Sequence, residues 1–467
     1  MTTTERPSST APSDAAPTSA LADFVVHAAV PDAVRDVTRR YVLDWLGSTI
    51  GGSTMQPPTI VREVVEALGG HEQATVIGSP QRTSAPLAAL ANAAASHVLE
   101  MDDLDRGSVY HPAAPTVAAA LALGESEGVT GDAFLDAVAV GYEVGIRVGE
   151  ALGGTHYDFW HTTGTAGTLG AAAAAARLLG LDEAAARNAL GSAGTMTAGL
   201  WEFLADGAMS KQLHPGKAAH DGILAALLAQ RGFTGASKIL EGPKGLLAAM
   251  SEDARPEMLT DGLSIEQPHW RVEGVSFKVH ASCRHTHPAV DAALALRARP
   301  DFDLDAIDRI HVRVYRAALG LLEGVEPTTP YAAKFSLPFC VAAALRFGEL
   351  GLARFTDETV ADAETLALAD RITFAPDEEL SALYPSRWPS ILEATLKDGA
   401  TVVERIDQPR GDPDTGITNA DLVEKFVMLT SGQIAEDEAR RIGFAILEGD
   451  AWSPARIAEV GASATRR

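Results

Sequence analysis

From about residue 22 to residue 262, apolar side chains return with a helical period in one block after another, and many of the resulting faces are alanine. In the block 31–47 the apolar set is Val34, Val37, Tyr41, Val42, Trp45 and Leu46. Pro31 opens that block and Gly47 closes it, the usual signals of a helix start and stop. Comparable blocks span 56–69, 84–100, 114–126, 131–151, 165–180, 183–197 and 216–231. Small residues let helix axes approach closely, so these blocks predict a tight helical domain. After Pro268 the period changes. Residues 270–279 and 307–315 alternate in the manner of strands, with a helical stretch at 288–298 between them. Residues 391–396 and 401–406 flank Lys397, Asp398, Gly399 and Ala400, a hairpin pattern. Residues 419–448 are helical again, after a turn at 412–416. The expected fold is mostly α with an α+β lid: a disordered tail over 1–21, a helical domain over 22–268 and 417–460, and a smaller α+β domain over 269–416 that interrupts it. A cleft between two such domains is a common place for an active site. No repeat of fixed period is present.

Composition narrows the function classes. The 467 residues are 46% hydrophobic, an ordinary globular value. Against 62 acidic residues stand 38 basic ones, a net charge of −24. A surface this acidic repels phosphate backbones and anionic lipid, which argues against nucleic acid and membranes as partners. It also makes a local cluster of Lys and His informative. Two cysteines, Cys283 and Cys340, can form neither a CxxC motif nor a disulfide framework. They are too few for a cubane iron–sulfur cluster, which takes three or four thiolates. Residues 1–20 lack the basic start and apolar core of a signal peptide. The alanine-rich stretches 84–95 and 113–123 are too short and interrupted to span a bilayer. The expected location is the cytoplasm.

Five segments mix ionisable residues with Gly or Pro at helix edges. The first carries Glu100, Asp102 and Asp103, followed by His111-Pro112. Three acids at a helix C-terminus repel one another and the helix dipole unless a cation answers them. The second runs from Trp160 and His161 through a Thr- and Gly-rich stretch to Gly170. With no strand before it, this is not a dinucleotide fingerprint. It reads either as an anion cradle at a helix start or as close packing through glycines. The third holds Lys211, His214, Pro215 and Gly216. The fourth, 277–288, holds Lys278, His280, Cys283, Arg284, His285 and His287. His285 and His287 raise a metal reading and Cys283 a nucleophile reading. No carboxylate is spaced with the histidines, so recognition of a substrate carboxylate is preferred. The fifth holds Tyr331, Lys334 and Ser336, where Ser336 reads as a helix cap.

In this order and spacing the segments resemble the MmgE/PrpD family, the family of 2-methylcitrate dehydratase, over nearly the whole chain after residue 21. The resemblance implies a helical domain interrupted by a lid domain, a homodimer, and chemistry with no metal or organic cofactor. It implies activity on a small polycarboxylate: dehydration of 2-methylcitrate, decarboxylation of cis-aconitate, or epimerisation of iminodisuccinate. By position it implies catalytic roles for Asp102, His111, His161, Lys211 and Lys278. Glu100, Asp103, His214 and His287 would bind substrate, and from the fifth segment, where Lys334 or Tyr331 could face the cleft, Lys334 is taken as a further substrate-binding residue. Two departures are visible. The family's acidic run usually opens with Asp where this chain has Glu100, and decarboxylase members carry a Tyr near the position of Phe339. The second weighs toward dehydration as the expected reaction. The alternatives are decarboxylation, epimerisation and, from another class, a non-catalytic small-acid binding protein. In the expected mechanism, Lys211, Lys278 and nearby helix N-termini hold substrate carboxylates. His111 or His161 takes the proton, and the other His or an acid of the run serves the leaving hydroxyl.

Overall fold

The structure is a computed structural model that describes residues 16–205, 207–265, 269–449 and 452–464. The helical blocks appear as α1 (Pro17–His27), α2 (Asp32–Gly52), α3 (Gln56–Leu68), α4 (Ala85–His97), α5 (Ala113–Glu127), α6 (Gly131–His156), α7 (Thr162–Leu178), α8 (Glu183–Gly194) and α9 (Leu213–Gln230). α7 is the central rod, buried from Thr162 through Ala176. Its neighbours α6 and α9 approach through small residues. A Cβ on Gly222 of α9 would lie 2.6 Å from Ala171 Cβ, and one on Gly141 of α6 would lie 2.8 Å from the Gly170 carbonyl oxygen. Alanine and glycine at these crossings replace side-chain interdigitation by near-contact of backbones. α6 breaks at Gly153, whose φ of 72° suits glycine alone, and restarts under the Asp253 carboxylate, which accepts from Gly154 N and Thr155 N at 3.0 Å.

The second unit is built on a four-stranded sheet: β3 (Ile307–Val314), β4 (Ile372–Pro376), β5 (Ser390–Leu396) and β6 (Thr401–Ile406), after a two-residue pairing of β1 (Ala74–Thr75) with β2 (Arg82–Thr83) in the first. Strand order is β4-β3-β5-β6, with β3 and β4 parallel and the other pairs antiparallel. The β5–β6 hairpin and the helix His287–Arg297 match the expected pattern. Ile307, Ile310, Val312 and Val314 face its core. The chain returns through the helix Asn419–Leu429 against α2, where Lys425 Nζ pairs with Asp44 Oδ1 at 2.5 Å and donates to the Met101 carbonyl at 2.7 Å. Among the described residues no helix is long and apolar enough to cross a membrane.

Three expectations fail. Residues 270–279 do not form a strand. Arg271–Gly274 is a 3-10 turn, and beyond it Ser276 merely exchanges two backbone hydrogen bonds with Leu104. The alternating Trp270, Val272, Val275 and Phe277 pack into the helical core instead of opening the second unit. Burial produced the pattern, without a neighbouring strand to pair with. The tail is shorter than read: α1 begins at Pro17, Leu21 is buried, and Thr18 Oγ1 donates to Glu241. Residues 1–15 of the expected tail lie outside the described residues. Ser336 occupies the N-cap of the helix Leu337–Phe347 but makes no side-chain cap bond.

Candidate active site

The two hydrophobic cores meet at the segment that leaves α4. Val98, Leu99, Met101 and Leu104 belong to the second core although the first half of the chain carries them. Within this turn Glu100 has a φ of 58°. A left-handed residue commonly ends a helix, but glycine usually fills the place, and another residue there costs roughly 1–3 kcal/mol. Its surroundings offset the cost. Lys211 Nζ, from the 3-10 turn Met209–Gln212, donates to Glu100 Oε1, and Lys278 Nζ donates to Oε2 at 3.1 Å. Tyr331 Oη lies 3.5 Å from Oε1. Burial alone would raise the Glu100 pKa, but the charges of Lys211 and Lys278 overcome it and hold the group well below the usual carboxylate range. Glu100, the first acid of the run, is thus answered by cations, as its cost in isolation requires.

Asp102 shares one of these cations. Its Oδ2 accepts from His97 Nδ1 at 2.6 Å and lies 3.3 Å from His111 Nδ1, while Oδ1 lies 3.7 Å from Lys278 Nζ. Burial again opposes ionisation, and His97, His111 and Lys278 outweigh it, so Asp102 stays a carboxylate. His111 Nδ1 donates to the Asp103 carbonyl at 2.7 Å. That bond places the proton on Nδ1 and leaves the Nε2 lone pair available. Burial, reinforced by Lys278 and His97, holds the His111 pKa well below its ordinary value even beside Asp102. His161 sits at the N-cap of α7, with its Nδ1 3.0 Å from His214 Nδ1. Its pKa is also lowered, by burial first and then by His214, His97 and Lys211.

An inner cavity of about 20 Å³ is lined by Glu100, His111, His161, Lys211 and Lys278. It opens toward an outer cavity of about 710 Å³, and both share Val109, Tyr157, Trp201 and Leu321. The inner space holds about one water, so a polycarboxylate enters only as its wall moves. Val109, at the neck, has a φ of 48°. That is an outlying conformation for a β-branched residue, and strain of this kind gathers at functional sites.

Of the expected site residues, Glu100, Asp102, His111, His161, Lys211 and Lys278 come together here, and His214 stands behind His161. Three do not join them. Asp103 turns the other way, accepting from Tyr142 Oη at 2.8 Å and Ala113 N at 3.1 Å. Burial pushes its pKa well above the usual range. Its role is to tie the turn to α5 and α6, because among the described residues no cation pairs with it. His287 is held by Arg284 Nη1 at 2.9 Å and the Ser282 carbonyl at 3.2 Å. Lys334 Nζ donates to the carbonyls of Leu99 and Ala281, both at 2.9 Å, and burial lowers its pKa to about 7. It fastens the backbone beside Glu100 and does not line the inner cavity. Phe339 is fully buried in the second core, so the absence of a hydroxyl there does not bear on the site. Cys283 lines the cavity, but burial raises its thiol to about 11, which removes it as a nucleophile at neutral pH. The glycines of the second segment are engaged in packing: a Cβ on Gly164 would lie 2.3 Å from the Ala198 carbonyl oxygen.

Sequence reasoning missed His97, Tyr157, Trp201 and Trp388. His97 is the last residue of an alanine-rich helix, with no ionisable residue beside it to mark it. Its spacing to the acidic run, five residues before Asp102, was the one available signal. Donor atoms of His97, Asp102 and His111 lie within 4.8 Å of one another, which is metal-like spacing. The Lys278 ammonium beside the shared carboxylate opposes a divalent cation there, and His111 Nδ1 already carries a proton. The set suits proton transfer better than metal binding.

Comparison with known proteins decides the family. Residues 19–259 match the model of the MmgE/PrpD N-terminal domain, and residues 280–448 that of the C-terminal domain. The chain belongs to the MmgE/PrpD family. Among its family relatives, a cis-aconitate decarboxylase-like protein of Aspergillus oryzae is 27% identical, with 92% of this chain and 94% of the relative covered. Cis-aconitate decarboxylase of Homo sapiens is 29% identical, covering 87% and 85% respectively. That of Aspergillus terreus is 26% identical, covering 79% of each. These three relatives are decarboxylases or decarboxylase-like by name, whereas the sequence points toward dehydration.

Proposed function

We propose that this chain is a lyase that removes CO₂ from cis-aconitate or a close unsaturated tricarboxylate, with no cofactor in the step. The observation that carries the reading is the convergence of Lys211, Lys278 and a neutral His111 in one buried chamber, and the decarboxylase relatives support it. The bond to one carboxylate breaks and CO₂ departs. The electron pair left behind forms a new double bond as the old one shifts, placing charge on the carbon beside a remaining carboxylate. Lys211 and Lys278 stabilise that charge in a site poor in water. A protonated His111 or His161 then delivers a proton to the carbon. A second reading is dehydration of 2-methylcitrate. It is favoured by the free Nε2 of His111, the state that proton abstraction requires. In separate tubes of EDTA-treated protein, CO₂ release from cis-aconitate supports the first reading. A growing alkene signal from 2-methylcitrate without CO₂ supports the second. Binding of either acid without turnover would overturn both in favour of a binding protein.

A pH dependence follows from the charges. Lys211 and Lys278 are balanced by Glu100 and Asp102, and the two histidines stay neutral in the free protein because burial lowers their pKa values. A polyanion beside them raises those values again. Binding therefore takes up protons, and affinity falls as pH rises through the interval between the free and bound pKa values. Calorimetry of cis-aconitate binding in buffers of different ionisation enthalpy measures the uptake. Release of protons would contradict the charge assignment.

A further inference from the structure

His97 has none of its surface exposed and makes one side-chain hydrogen bond, from Nδ1 to Asp102 Oδ2 at 2.6 Å. Its Nε2 is buried with no hydrogen-bond partner among the described residues. An unpaired buried ring nitrogen carries a desolvation cost. An apolar residue would fill the space without that cost, so the imidazole's use lies in its single donor. The carboxylate it holds is contested. Among the described residues Oδ1 has no hydrogen-bond partner, and it faces the Lys278 ammonium at 3.7 Å, while Oδ2 lies between His97 and His111. The two imidazole rings meet edge-on, with centroids 4.9 Å apart. The charged and titratable groups facing His111 are Asp102, Lys278, His97 and Glu100, with the His161 ring 6.2 Å away.

Building on the reading of His111 as the proton carrier, we propose that His97 is a positioning residue whose Nδ1–H pins Asp102 against His111. Protonated His111 then forms beside a fixed carboxylate, not beside one drawn away toward Lys278. The role differs from that of a catalytic residue, because His97 acts through Asp102.

Side-chain geometry supplies the test. His97→Asn places an amide N–H where Nδ1 stands, His97→Gln places it where Nε2 stands, and His97→Leu fills the volume without a donor. With cis-aconitate as substrate, the Asn variant should keep kcat within a few-fold. The Gln and Leu variants should lose about 10–100-fold in kcat with little change in KM. Their alkaline limb of kcat/KM should move to lower pH, because protonated His111 has lost its fixed counter-ion. Thermal melts confirm that all three variants are folded. Equal behaviour of Asn and Gln, or lowered melting temperatures with an unchanged pH profile, would reduce His97 to packing and overturn the proposal. His111→Ala separates the two readings. If that variant keeps its turnover, the proton-carrier assignment fails. If it is inactive while His97→Leu keeps the wild-type profile, only the positioning role fails.

Discussion

His111→Ala lowers turnover of the true substrate by at least about 100-fold, while melting temperature changes far less than the rate. The reasoning is geometric. His111 Nδ1 is committed to the Asp103 carbonyl, so Nε2 is the nitrogen free to exchange protons. Asp102 lies 3.3 Å from Nδ1 and stays ionised, which favours the protonated ring once a substrate carboxylate arrives. Among the described residues that line the inner cavity, no other group combines a free basic nitrogen with a fixed counter-ion. His161 lines the same space, but its Nδ1 contact is a second histidine instead of a carboxylate. His161→Ala is therefore expected to cost less than His111→Ala. Steady-state kinetics of both variants, with circular dichroism to confirm folding, checks the order. Activity within a few-fold of wild type in both variants would sink the assignment.

Lys278→Met is expected to lower kcat/KM by about 10²–10³-fold, the usual effect of removing one preorganised electrostatic donor. It should also destabilise the protein. Lys278 answers both Glu100 Oε2 and Asp102 Oδ1, and all three side chains are buried. Removing one partner of a buried ionic group leaves an uncompensated charge, typically at a cost of about 3–5 kcal/mol. The double variant Lys278→Met with Glu100→Gln should recover much of that stability and none of the activity. Thermal melts and kinetics on the single and double variants separate the two effects. A double variant that regains turnover would show that Lys278 serves the fold alone.

The helical half of the chain was legible because small and apolar residues recur at helical spacing over long stretches, from α2 to α9. The β5–β6 hairpin was legible from its Gly-containing turn. Strand β4 was not, since Ile372–Pro376 is short and pairs in parallel with β3 across a sequence gap that no local pattern spans. The stretch 270–279 misled because alternation records burial on two faces and says nothing of a partner strand. At the site, the ionisable residues of four segments pointed to one chamber, but their directions were not readable. Asp103 and Asp102 are adjacent, yet one turns to Tyr142 and the other to His97 and His111. Lys334 and Lys278 look equivalent in composition, yet two backbone carbonyls hold the first and two carboxylates the second. Tertiary packing decides such directions. The same holds for His97, whose importance rests on where α4 ends relative to the acidic turn.

The central claim is proton delivery from the chain's own side chains to a carbon left negative by decarboxylation. The most direct measurement is proton NMR of cis-aconitate with EDTA-treated protein in D₂O, with CO₂ measured in parallel. The account predicts one CO₂ released per product molecule and one deuterium at the carbon beside a remaining carboxylate, with both signals lost in His111→Ala. CO₂ release without deuterium at that carbon, or full activity in His111→Ala, would contradict it.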